Sequence, residues 1–258
     1  MAASSRPVVL VTGAARRLGR AMALELAQHG FDIAVHYRGS AADAQATVAE
    51  LDARGARAAA FQADLSDEAA CRALVPTVAA HFKRLDAVVN SASIFEYDDA
   101  ASFTHAAMER HWRANTAPAI LLAQALHAQL DGCTETGCVV NIVDQKLWNP
   151  NPDHLSYTLS KAALQAATVM LAQALAPRVR VCGVAPGITL VSGPMNDGEF
   201  AAAHRMTPLE RSSTPDDIAR AVRFLIESPA ITGTTLLVDG GQHLSAQPRD
   251  VYYLAKRN

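Results

Sequence analysis

Val8-Val9-Leu10-Val11-Thr12-Gly13-Ala14-Ala15-Arg16-Arg17-Leu18-Gly19 is the stretch on which the reading of this chain turns. Four apolar residues of strand length run into small residues, and a segment of helical period follows over about 17–29. Small residues at such a turn let backbone approach a pyrophosphate, while the helix behind it offers unpaired N–H groups and its positive dipole end. A glycine turn between strand and helix can also be purely structural, so the surrounding chain decides its meaning.

Outward from that turn the alternation continues. Strands are expected at 31–36, 56–61, 87–89, 139–143, 179–184 and 235–238, with helices running through 51 and over 68–82, 104–130, 156–176 and 216–227. Pro177 ends the helical stretch 156–176 and Pro186-Gly187 stops the strand after it. Continuous apolar strands imply helices on both sheet faces, and right-handed crossovers then give an α/β, doubly wound Rossmann-type parallel sheet. Ligands gather at the carboxyl ends of such strands. One domain, 1–258, is expected. The stretch 188–214 carries Gly, Pro, Ser and Met and exceeds an ordinary connection, so it is expected to be a substrate lid.

Half of the 258 residues are hydrophobic and only 5% aromatic, so the core must come from Ala, Val, Leu and Ile, which suits helices on a sheet. Lys and Arg total 23 against 25 for Asp and Glu without blocks of either sign, so neither nucleic acid nor a membrane surface is indicated as partner. A small molecule fits better. Cys71, Cys133, Cys138 and Cys182 lack paired spacing, and a reduced, cytoplasmic protein without a metal site is expected. Residues 1–6 lack the pattern of a signal peptide, and no apolar run approaches the ~20 residues of a membrane span.

At the end of the second strand, where a NAD site presents a carboxylate to the adenosine ribose, stand His36, Tyr37, Arg38, Gly39 and Ser40. An acid there would repel a 2′-phosphate, whereas Arg38, Ser40 and Arg16 could hold one, which favours NADPH/NADP+. Asp64-Leu65 and Asn90-Ser91-Ala92-Ser93 close the next two strands, where adenine and ribose would lie.

Asp144 lies just past the fifth strand, and Tyr157 and Lys161 share one face of the following helix. A phenol of ordinary pKa ~10 shuttles protons poorly at neutral pH. A nearby ammonium and a helix amino terminus both stabilise phenolate, so Lys161 is expected to lower the Tyr157 pKa.

The glycine loop, Asn90, Asn115, Tyr157-Thr158-Leu159-Ser160-Lys161, Pro186-Gly187 and Val238-Asp239-Gly240-Gly241 together resemble the short-chain dehydrogenase/reductase family across nearly the whole chain. The resemblance implies that Tyr157 is the general acid, that Lys161 binds the nicotinamide ribose and tunes it, and that Asn115 holds a relay water. Cofactor contacts are expected from Gly13, Arg16, Arg17, Leu18, Gly19, His36, Tyr37, Arg38, Ser40, Asp64, Leu65, Asn90, Ala92, Ser93, Tyr157, Lys161, Pro186, Gly187 and Thr189. The resemblance also implies a homotetramer in which the two long helices form subunit contacts. Arg17 and Asp144 depart from the usual glycine and serine, and pteridine reductases resemble this chain at both places. That branch implies that Phe95 stacks on a pterin, that Arg17 and Ser93 contact ligand and cofactor, and that a dihydropterin or dihydrofolate is reduced. Trp148 is a further candidate for the pocket, and His154 for its support. Two other readings stay open, a carbonyl or 3-oxoacyl reductase and an idle, NADPH-binding regulatory protein.

Overall fold

The computed structural model describes residues 6–191 and 195–255. Residues 1–5, positions 192–194 of the expected lid and residues 256–258 lie outside them. Seven parallel strands form one sheet in the order β3-β2-β1-β4-β5-β6-β7. They are β1 Val8–Val11, β2 Asp32–Tyr37, β3 Ala58–Gln62, β4 Ala87–Asn90, β5 Gly137–Ile142, β6 Val179–Pro186 and β7 Thr235–Val238. The order reverses between β1 and β4, and the carboxyl ends of those two strands open the crevice that holds the candidate site.

Helices α1 Arg17–Gln28, α2 Ala41–Ala53 and α3 Glu68–Phe82 follow the first three strands. The sheet is covered on both faces because alternate strand residues feed two separate cores: Val9, Val11, Ile33 and Val35 on one side, Val8, Leu10 and Val88 on the other. The first face is closed by α1 and by α8 Pro215–Glu227, whose buried Ile218, Val222 and Leu225 recur at helical spacing. Thr214 and Asp217 form a capping box at its start.

The helix expected over 104–130 is broken into three pieces. It runs as α4 His105–His111, a π turn Trp112–Thr116, and α5 Ala117–Gln129. Pro118 has no N–H to give the carbonyl four residues earlier, and the widened turn absorbs that loss while bringing Ala114 to the crevice. After β5 a short 3-10 turn, Gln145–Leu147, leads to α6 Leu155–Ala174.

The stretch 188–214 holds a helix of its own, α7 Asp197–Arg205, started by a capping box between Asn196 and Glu199. Its Ala203 packs on Val251 and Ala255 of a terminal helix, α9 Val251–Ala255. Neither helix is anticipated by the pattern along the chain. Among the described residues no helix is long and apolar enough to cross a membrane.

Candidate active site

A crevice of about 660 Å³ follows the carboxyl ends of the strands, from the Gly13 loop to the start of α6. Gly13 takes a φ of +68°, which glycine adopts without strain, and a Cβ on Gly19 would collide with the Gly13 carbonyl oxygen. Loop and helix therefore close tightly only as glycines, leaving the amino end of α1 open to the crevice. His36 supports this loop from beneath. Its Nδ1 accepts from the Gly13 N–H at 3.1 Å and its Nε2 donates to the Ala63 carbonyl at 3.1 Å. Burial pushes its pKa down to about 4, so the ring is neutral and can make both bonds. Thr12, which no motif marks, accepts from the Ser91 and Ala92 N–H groups at 2.9 and 3.0 Å and so ties the β4 end to the loop.

Tyr37, Arg38, Ser40, Asp64 and Leu65 line the far end of the crevice, as do Arg16, Arg17 and Leu18 at its loop. Arg16 pairs with Asp43 at 2.6 Å, and both side chains are half-exposed or more, so the pair is worth only about 0–1 kcal/mol and exchanges readily for an anion. Arg17 has a left-handed backbone, φ +51°, and its guanidinium donates to the Val191 carbonyl at 2.8 Å, linking the loop to the 188–214 stretch. Hydrogen bonds from Ser66 hold the Asp64 carboxyl below its usual pKa. Pro186, Gly187 and Thr189 form the rim after β6. The open helix end, the small-residue cradle and the cations at the β2 side fit a phosphorylated dinucleotide.

At the other end Tyr157 donates to Asp144 Oδ2 at 2.7 Å. The remaining oxygen of Asp144 accepts from the Lys146 N–H at 2.8 Å, so one carboxylate both caps the 3-10 turn and meets the phenol. Lys161 Nζ donates instead to the Ile142 carbonyl at 2.8 Å and lies 5.8 Å from the Tyr157 ring centre. The expected depression of the Tyr157 pKa is therefore corrected. Burial, then the charge of Asp144 and its hydrogen bond, push that pKa well above its ordinary value. Burial also raises the Asp144 pKa and lowers that of Lys161 to about 8. The site holds a buried phenol hydrogen-bonded to a buried carboxyl group whose pKa is raised by that burial.

Phe95 lines the crevice with 48% of its surface exposed. It stacks on His154 at 4.0 Å and meets Tyr157 edge-on at 4.7 Å, so His154 supports a flat aromatic wall. Asn115 fixes that wall from behind. Its Oδ1 accepts from the Ile94 N–H at 2.8 Å and from Ser93 Oγ at 3.1 Å, while Nδ2 donates to the Ile94 carbonyl and Ser160 Oγ. Its side chain has no hydrogen-bonding position left for a relay water, which corrects that expectation for the side chain. Asn90 is similarly enclosed, donating to Asn141 at 2.8 Å, and supports the crevice without lining it. Trp148 also lies off the crevice wall. The turn that carries Gln145 and Lys146 inward leaves it on the surface, 39% exposed.

The structure adds wall residues that no spacing in the sequence marks: Gln145, Lys146, Gln242, Asp250 and Val251. In the tail, Arg249 binds Asp153 at 2.8 Å and Tyr253 lies under its guanidinium, outside the crevice.

A family model described as Enoyl-(Acyl carrier protein) reductase matches residues 13–243. Pteridine reductase 1 of Leishmania tarentolae is 33% identical, over 93% of this chain and 97% of its own. A 3-oxoacyl-[acyl-carrier-protein] reductase of Synechocystis is 34% identical, over 93% and 98%. Among solved structures, FolM alternative dihydrofolate reductase 1 from Brucella canis, complexed with NADP, superposes with a TM-score of 0.86 at 37% identity, over 95% of this chain and 97% of that one. By these matches the chain belongs to the short-chain dehydrogenase/reductase family.

Proposed function

We propose that this protein is an NADPH-dependent reductase of a dihydropterin or dihydrofolate. The observation that carries the reading is the 2.7 Å hydrogen bond from Tyr157 to Asp144. When bound, NADPH supplies the hydride. Arg38 and Ser40 would hold its 2′-phosphate, with Arg16 released from Asp43, and the Gly13–Gly19 cradle its pyrophosphate. The complex of the Brucella relative with NADP supports this choice of cofactor.

Reduction of a pterin C=N bond also needs a proton at the ring nitrogen. Tyr157 gives its O–H proton to that nitrogen, and Asp144, in hydrogen-bond contact with the phenol, offers the path by which a solvent proton returns to the phenolate. Lys161, charged below a pKa of about 8, lends its positive field as the phenolate forms. Phe95 offers its exposed face to the flat ring. Reduction of a 3-oxoacyl group is the second reading, favoured by the Synechocystis relative.

Exchange of Asp144 for the serine usual in the family separates the two. In Asp144→Ser, kcat with a dihydropterin should fall by about 100-fold or more, the scale of a lost proton-transfer group. A 3-oxoacyl thioester should lose much less. Equal, small losses on both substrates would contradict the reading.

A further inference from the structure

One wall of the crevice comes from the tail of the chain, where Asp250 and Val251 stand beside Asp144, Gln145, Lys146 and Tyr157. The path of that tail is fixed by buried polar contacts. Asp153 accepts from Arg249 Nε at 2.8 Å and from the Asp250 N–H at 2.7 Å. Lys146, itself buried, donates to the Asp153 carbonyl at 2.6 Å and reaches Asp250 Oδ2 at 3.4 Å. The Tyr252 N–H binds the other Asp250 oxygen at 3.1 Å.

Asp250 is thus a carboxylate held in place and only 19% exposed, yet part of the crevice wall. An ionised carboxylate accepts up to about four hydrogen bonds, and Lys146 and Tyr252 supply two donors. Gln145, 8% exposed, lines the same crevice, and its Oε1 is enclosed without a hydrogen-bond partner among the described residues. Spare acceptor capacity on a crevice wall suits a ligand edge that donates. The aromatic face of Phe95 in the same crevice calls for a flat ring.

We propose that Asp250, assisted by Gln145, recognises the amino-bearing edge of a 2-aminopyrimidine ring and so selects the substrate. The inference rests on the pterin reading and adds the residues that distinguish an amino-substituted ring from other flat or acyl substrates. A ring with oxygen in place of the amino group would set one acceptor against another, which is costly in a partly buried site.

The test compares pterin with lumazine, the same bicycle with an oxo group at the amino position, by titration calorimetry on the NADP+-saturated protein. The wild-type protein should bind pterin at least about tenfold more tightly than lumazine, and Asp250→Asn should bring the two within about twofold. Equal binding of the two rings by the wild-type protein overturns the proposal, as does an unchanged preference in the variant. The wild-type ratio decides even if the variant does not fold. Turnover is read separately: dihydropterin reduction without ring preference refutes Asp250 recognition alone. An Asp250-dependent preference without turnover refutes the reductase reading alone.

Discussion

The Tyr157 phenol is held above its ordinary pKa first by burial and then by Asp144. Asp144 is in direct hydrogen-bond contact, whereas the Lys161 ammonium is turned to the Ile142 carbonyl. Burial brings the Lys161 ionisation down to about 8. Below that pH the ammonium is charged and can support both phenolate and an anionic dinucleotide; above it the charge is lost. kcat/KM for NADPH, which reports groups of the free enzyme, should therefore decline as pH rises through about 8. A flat profile up to pH 10 would contradict the assignment. The helical spacing of Tyr157 and Lys161 is plain in the sequence because both lie on one helix. Asp250 is invisible there, since its contact with Lys146 joins positions 104 apart and no periodicity marks either one.

At the scale of elements, local pattern and local structure agree wherever neighbouring residues decide the outcome. Glu68–Phe82 has the same limits in sequence and structure, because Asp67 caps its first turn by accepting from Ala70 and Lys83 ends it in a left-handed conformation. The π turn at Trp112–Thr116 leaves the apolar period of the surrounding helix nearly intact, so only Pro118 hints at it. Helices α7 and α9 escape the sequence reading for another reason. They are short, and their burial comes from packing on each other rather than on the sheet. The glycine cradle is the element on which cofactor binding depends. Gly19→Ala would push a methyl group into the Gly13 carbonyl, costing about 1–3 kcal/mol of stability. NADPH binding should weaken by about tenfold or more, as followed by quenching of protein fluorescence. Unchanged affinity and melting temperature would show that the loop does not hold the nucleotide as described.

At the scale of the molecule, sheet order places the two ends of the crevice on one continuous edge, so cofactor and substrate regions meet at Tyr157. Trp112, Leu159 and Met170 remain exposed on the two helical runs expected to form subunit contacts. Light scattering should accordingly give a particle of four times the 27.3 kDa chain mass, and a monomer would contradict the tetramer implied by the family. The fold and its nucleotide end follow from alternation along the chain, but the substrate depends on side chains brought together from β5, α6 and the tail. The most direct measurement is steady-state NADPH oxidation by the wild-type protein with dihydropterins, dihydrofolate and a 3-oxoacyl thioester. The Tyr157–Asp144 site predicts turnover of a dihydropterin or dihydrofolate with a higher kcat/KM than the thioester; turnover of the thioester alone would contradict it.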